Sequence, residues 1–332
     1  MLTPPPDLGP EQISCSLSEH WGLEDCDVTY VPLGHGSHNW SIVASDRTRW
    51  FAKASRTGPD SDFGRATYQT AALLREAGLD FVLGPVRDRS GEARPQVSPE
   101  WELAVFPFIE GRNPNFNTGE RAQVAEILGR LHAFATAPEI AIRWEPGWYQ
   151  PELREILAGE LDRQWNDGPY GEQARSLFVS SRAGIERLLE HSDRLVARLA
   201  DSDDPPVITH GEPHGGNTMI DSSGKLYLID CNALMVAPRE RDLRILLHAS
   251  HRRSRNLDNT EVIAAYRRTA GPIEPRPFAI ELFRAEWHLI EICRYAQLFS
   301  GPHGRTSDVH ARWETLNAYL PVAQNWPELE SA

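Results

Sequence analysis

Residues 207–243 read VITHGEPHGGNTMIDSSGKLYLIDCNALMVAPRERDL, and their spacing decides the fold. An apolar lead-in, Val207-Ile208-Thr209, delivers His210-Gly211-Glu212. Asn217 follows Glu212 by five residues, and after one short hairpin the apolar strand Leu226-Tyr227-Leu228-Ile229 ends at Asp230. Glu212, Asn217 and Asp230 thus place three oxygen-bearing side chains near the same ends of paired short strands. Oxygen donors without sulfur suit a hard cation such as Mg2+, which also takes phosphate oxygens and water.

An acid, an amide five residues on and a second acid after a hairpin resemble the catalytic and metal-binding loops of protein kinases. The nearer resemblance is to the aminoglycoside phosphotransferase and choline kinase-like family, in its antibiotic kinase type. That loop runs H-G-D-x-H-x-x-N, then a hairpin and D-W or D-F; here it reads H-G-E-P-H-G-G-N and I-D-C-N. The resemblance implies Glu212 as the catalytic base, replacing the family's aspartate, with Asn217 and Asp230 as Mg2+ ligands. It also implies that His210 and Asp242 support the loop rather than react. The fold it implies is α+β, protein-kinase-like and two-lobed. A nucleotide-binding lobe over 1–106 would hold a five-stranded antiparallel sheet and a helix; a mostly helical lobe over 107–332 would carry the catalytic loop and the acceptor site.

Working outward toward the N-terminus, strands are expected over 28–33, 40–44 and 49–54, with Gly34-His35-Gly36-Ser37-His38-Asn39 between the first two. Glycines between antiparallel strands let backbone N–H groups approach a phosphate closely, so Gly34, Gly36 and Ser37 are candidate nucleotide contacts. Lys53 is the strand lysine expected on the phosphates. Of the 34 basic residues only Lys53 and Lys225 are lysine, and a chain this rich in arginine keeps lysine where a compact point charge is needed. The competing reading is a lysine whose stem packs on an edge strand with its head in water. Lys225, in the 222–225 turn, is expected to be solvated. The 63–77 helix, ending at Gly78, carries no acid over Arg65–Thr70 to pair with the strand lysine, so that partner stays unassigned. Strands over 81–86 and 101–106 complete the expected sheet. The following Phe106-Pro107-Phe108-Ile109-Glu110-Gly111 resembles the family's hinge, where Phe106, Phe108 and Ile109 would meet a nucleotide base. Pro107 has no N–H, so the donor must be a neighbour such as Ile109.

Residues 1–10 read as an unstructured lead-in and 11–21 as a helix. Beyond 118, helical periodicity predicts helices over 120–134, 153–161, 172–199, 238–250, 260–269, 278–298 and 309–319. His132 falls in the first of these, as a surface or satisfied core histidine. Glu286 and Glu291 in the 278–298 helix are the candidate acceptor-binding acids; for Glu291 the alternative is an ion pair with Arg284 or Arg294.

The totals narrow the partners. A formal net charge of -13 argues against nucleic acid, which demands a basic face. It suits a small cationic hydroxyl acceptor, although many cytosolic proteins are simply acidic. Cys15, Cys26, Cys231 and Cys293 show no paired spacing and read as free thiols in a reducing, cytoplasmic setting. Neither an export signal nor an apolar run of membrane-spanning length is visible. The expected cosubstrates are ATP (or GTP) with Mg2+, and the expected activity is phosphorylation of an aminoglycoside-like or nucleoside-type antibiotic. Three alternatives stand beside it: a metabolic amino-alcohol or sugar kinase, a nucleotide-binding pseudokinase, and a zinc site built from His210, Glu212 and His214. The last is disfavoured because this is not H-E-x-x-H on a helix.

Overall fold

Runs in which every second residue is apolar form the N-terminal sheet. β1 (Asp27–Val31), β2 (His38–Val43) and β3 (Arg49–Arg56) pair antiparallel in chain order. β4 (Gln96–Ser98) and β5 (Trp101–Pro107) complete five strands in the order β1-β2-β3-β5-β4. The protein, here a computed structural model, is described over residues 1–34, 36–247 and 259–322. His35 of the glycine loop and the end of the expected 238–250 helix lie outside the described residues.

The fourth strand corrects the sequence expectation. Residues 81–86 form only isolated bridges, Val82 to Leu228 and Val86 to Val105. Pro85 can donate nothing to a ladder, and Gly84 sits so close to the preceding helix that a Cβ there would lie 2.4 Å from the Ala71 carbonyl oxygen. The edge position goes instead to Gln96–Ser98.

Period-two alternation gives the sheet two different faces. Trp40, Ile42, Ala52, Ala54, Trp101, Leu103 and Val105 pack with Ile13 and Leu17 of α1 (Pro10–Trp21). Leu8 joins that cluster, so the lead-in is packed rather than loose; Tyr30 Oη further anchors it by donating to the Met1 and Thr3 carbonyls. On the other face Ala104, Phe106 and Phe51 meet Tyr68 and Ala72 of α2 (Ser61–Glu76). Lys53, one residue out of phase with Ala52 and Ala54, belongs to this second face.

β6 (Gly111–Arg112) leads into α3 (Thr118–His132), whose N-cap Asn117 accepts from the Glu120 N–H at 2.9 Å. Downstream come α4 (Gln150–Ala158), α5 (Gly171–Ala200), β7 (Val207–Thr209), β8 (Thr218–Asp221), β9 (Leu226–Leu228) and β10 (Met235–Ala237). α6 (Glu240–Leu247), α7 (Thr260–Ala270), α8 (Pro277–Ser300) and α9 (Ser307–Tyr319) follow. β8 pairs with β6 and β9, and β10 with β7, all antiparallel.

The chain forms two compact units. One holds 1–144 and the described residues of 205–274, and contains the sheet and the whole 207–243 stretch. Its second core joins α3, α7 and the β7–β10 strands through Val124, Leu128, Ile208, Leu228 and Tyr266. The other unit holds 145–204 and the described residues from 275 on, cored by Phe178, Leu188, Leu289 and Phe299. No helix among the described residues is long and apolar enough to cross a membrane.

Candidate active site

β7 ends at Thr209, and the chain turns at Gly211 with φ of 96°. That left-handed turn is open to glycine without strain. Asp242, at the start of α6, holds the turn from behind. Its Oδ2 accepts from the His210 N–H at 2.8 Å and its Oδ1 from the Gly211 N–H at 2.6 Å. His132 of α3 adds a third contact, Nε2 to Oδ2 at 3.1 Å, with its Nδ1 on the Tyr266 hydroxyl at 2.8 Å. Burial alone would push the Asp242 carboxyl up; the His132 hydrogen bond and the surrounding positive charge outweigh it and hold the group down at about 2. A buried anion with three partners fixes backbone geometry firmly.

His210 joins the two halves of the site. Its Nε2 donates to the Ile229 carbonyl at 2.9 Å, and its Nδ1 lies 3.4 Å from the Glu212 N–H. Burial lowers its pKa, so the ring is neutral and this tautomer is the one the contacts require. With both nitrogens turned to backbone, His210 has nothing left for the zinc arrangement.

The loop beyond is a short turn of 3-10 helix, Gly215–Asn217. Neither Gly215 nor Gly216 has a positive φ. The His214 Nδ1 accepts from the Gly216 N–H at 3.0 Å, and Asn113 donates its Nδ2 to the Thr218 and Gly215 carbonyls at 2.8 and 3.1 Å. This loop is tied down, and the glycines do not serve as free hinges. Asn217 donates its Nδ2 to the Glu212 carbonyl at 3.1 Å, which leaves Oδ1 as the acceptor end; its own carbonyl receives the Ile229 N–H at 3.0 Å.

Asp230 sits in the left-handed region, φ 59°, just past β9. Its Oδ1 meets Lys53 Nζ at 2.5 Å, a contact bridging 177 residues of sequence. Burial works to lower the Lys53 pKa, but the Tyr68 oxygen and the Asp230 carboxylate outweigh it and hold the ammonium above the ordinary lysine value. The solvated-edge reading of Lys53 is therefore overturned: its side chain is 14% exposed and committed to Asp230. The helix residue near Lys53 is Tyr68, not an acid; Glu76 pairs with Arg87 at 2.7 Å. Lys225 is not simply solvated either, since it pairs with Asp80 at 2.6 Å. Burial pushes the Cys231 thiol, adjacent to Asp230, up to about 12, so it packs as a thiol.

Asn217 and Asp230 offer Mg2+ the donors it takes. The Asn217 Oδ1 and the Asp230 Oδ2 are the ends of each side chain not used in the contacts above, and both are hard oxygens. Around the nucleotide candidates, Gly34 and Gly36 have φ of 84° and 83°, and the Ser37 Oγ donates to Asn39 Oδ1 at 3.3 Å. Phe106 is buried against Tyr68, ring centroids 5.6 Å apart. Phe108 lies under the Arg49 guanidinium at 3.8 Å, and its N–H is used by the Arg49 carbonyl at 3.2 Å. Ile109 makes no backbone hydrogen bond from its N–H among the described residues. Glu286 and Glu291 lie in the other unit, on α8: Glu286 is 4% exposed, and Glu291 pairs with Arg294 at 3.0 Å.

Three side chains here gave no signal in the sequence. Asn113 and His132 act on loop backbone from distant segments, and Tyr68 occupies the position where an acid was sought. Only helix spacing was visible for His132 and Tyr68, and it does not specify a partner.

Residues 27–279 match the family described as "Phosphotransferase enzyme family". The chain belongs to that family. It is accordingly a phosphotransferase with an alcohol group as acceptor, a small-molecule kinase that uses a nucleotide cosubstrate. Among its relatives, protein StrN of Streptomyces griseus is 26% identical over 308 residues, covering 89% of this chain and 86% of StrN. The spectinomycin phosphotransferase APH(9)-Ia, solved with ADP and spectinomycin, superposes with a TM-score of 0.72 at 19% identity over 94% of each chain. A microcompartment-associated aminopropanol kinase superposes with a TM-score of 0.64 at 14% identity, over 96% of this chain and 98% of that one. At these identities the solved structures share the fold with this family member, which is the α+β, protein-kinase-like arrangement expected.

Proposed function

We propose that the enzyme transfers the γ-phosphate of ATP (or GTP) to a hydroxyl of a cationic, aminocyclitol-like antibiotic. The observation that carries the reading is the Lys53–Asp230 contact at 2.5 Å, which joins the strand lysine to the post-hairpin aspartate beside Asn217. A cation and two oxygen donors gathered at one point suit the β- and γ-phosphates with their metal. The antibiotic class rests on likeness to the spectinomycin phosphotransferase together with the net charge of -13. The aminopropanol kinase supports a second reading, a metabolic amino-alcohol kinase.

In this reading residues 1–106 form the nucleotide lobe and 107–332 the helical acceptor lobe. Gly34, Gly36 and Ser37 present backbone and hydroxyl donors to phosphate, and Lys53 supplies the fixed positive charge. Phe106 and Phe108 flank the base, and the unused Ile109 N–H is the donor toward it. Asn217 and Asp230 hold Mg2+, which when bound neutralises phosphate charge. Glu212 receives the acceptor hydroxyl's proton, while Asp242 and His210 keep its backbone in place. Glu286 and Glu291 attract the acceptor's positive charge, Glu291 while it is paired with Arg294.

Two substitutions test these roles. In Lys53→Arg, kcat/KM falls by about 10-fold or more, about 1.4 kcal/mol, because a planar guanidinium cannot replace a point charge in that gap. Unchanged kcat/KM removes Lys53 from the phosphate site. In Glu212→Gln, kcat falls steeply with nucleotide binding nearly intact, and Glu212→Asp is also impaired because the pinned loop cannot advance to bring a shorter acid to the hydroxyl. Full kcat in Glu212→Gln, with phosphorylated product verified by mass, excludes Glu212 as the base.

A further inference from the structure

Glu102 lies on β5 with 0% exposure, on the same sheet face as Lys53. In the β3–β5 register Lys53 faces Ala104 and Ser55 faces Glu102, so the carboxylate and the ammonium are one cross-strand pair apart along the face. Two guanidiniums converge on Glu102: Arg94 at 2.8 Å from the turn before β4, and Arg65 from α2. Helix and sheet are thus joined by an ion pair of inverted polarity, with the arginine on the helix and the acid on the strand.

The surroundings are shaped to admit it. Gly64 lies beneath Arg94, where a Cβ would fall 1.7 Å from its Nη1. Glycine within a helix costs about 1 kcal/mol relative to alanine, and here it opens the seat for the guanidinium. The Arg94 guanidinium then stands over the Tyr68 ring at 5.7 Å, with Phe106 on the ring's edge at 5.6 Å. Tyr68 in turn packs on Ala104, the residue directly opposite Lys53 in the β3–β5 register. The packing runs from Glu102 through Arg94 and Tyr68 to Ala104, the cross-strand partner of Lys53.

We propose that Glu102 is a positioning residue for Lys53: through Arg65 and Arg94 it seats α2 so that Tyr68, in place of an acid, stands beside the Lys53–Asp230 pair. Buried ion triads add little net stability compared with apolar packing, so a positional role accounts for this one better than a stabilising role. The proposal deepens the kinase reading of Lys53 and rests on it.

The lysine count gives a direct readout. Only Lys53 and Lys225 carry ε-amines, so amine acylation followed by peptide mapping reads Lys53 against Lys225 within one molecule. Without nucleotide, Glu102→Gln raises the Lys53:Lys225 acylation ratio several-fold over wild type, because Lys53 is no longer held. A folded Glu102→Gln protein with the wild-type ratio overturns the proposal and leaves the triad a simple staple. Should Glu102→Gln fail to fold, Tyr68→Phe keeps the ring packed and carries the same expectation and the same overturning result. MgATP protection of Lys53 in the wild type separately tests the kinase reading: absence of protection, with the nucleotide-free ratio still raised in the variant, sinks that reading alone.

Discussion

Asp230→Asn reduces phosphoryl transfer by at least about 1,000-fold, roughly 4 kcal/mol of transition-state stabilisation, while the protein stays folded. Asparagine is the informative replacement. Asp230 sits at φ 59°, where asparagine is tolerated and alanine adds backbone strain of about 1 kcal/mol. The amide keeps the size of the side chain and removes the charge that Lys53 and a metal both require. Asp230→Ala has the same effect on turnover with an added loss of stability. Product formation in Asp230→Asn at near wild-type rate, measured by mass, would place the chemistry elsewhere.

Asp242→Asn is the second large effect, and it falls on stability first. The carboxylate accepts from the His210 and Gly211 N–H groups and contacts His132, so an amide would turn donors against donors in a fully buried site. Breaking such a network costs on the order of 3 kcal/mol. Denaturant unfolding measures it; a loss under about 1 kcal/mol, the size of an ordinary surface change, contradicts the account. Activity falls as well, because the 210–212 backbone loses its anchor.

The same carboxylate sets an acid limit. Its folded pKa, about 2, lies below the ordinary 3.8, so its stabilisation is present above 3.8 and lost as pH falls toward 2. His210 acts at higher pH in the same direction. Its folded pKa lies below 6.5, so the unfolded chain takes up a proton first and stability declines as pH drops beneath 6.5. Stability therefore declines in two stages on acidification, and Asp242→Asn weakens the lower one, to which the buried Asp88 also contributes. A flat stability profile between pH 6.5 and 2 would contradict both assignments.

What the sequence revealed of this site follows from distance along the chain. Glu212, Asn217 and Asp230 fall within one loop and hairpin, where spacing alone brings backbone positions together. Lys53 was legible for a different reason, as one of two lysines among 34 basic residues. The 81–86 misreading arose because six mostly apolar residues mimic a strand, while Gly84 against α2 and Pro85 break the ladder. Tyr68, Arg94, Glu102, Asn113 and His132 were illegible as site neighbours. Their roles depend on which strand pairs with which and on what packs across the sheet, and no local pattern encodes that. Nor does the pair Gly215-Gly216 reveal how firmly the catalytic loop is held, since Asn113 and His214 pin it.

Transfer of a nucleotide's γ-phosphate to a small hydroxyl acceptor is the reaction proposed for this enzyme. Its most direct measurement is incubation of the wild-type enzyme with MgATP and a panel of aminocyclitol, aminoglycoside and nucleoside antibiotics and amino alcohols, with the mass of each acceptor read afterwards. One acceptor, cationic and bearing a free hydroxyl, gains a single phosphoryl group in step with ADP release, and none gains it with Asp230→Asn. ADP release without any phosphorylated acceptor, or the same product from Asp230→Asn, would contradict it.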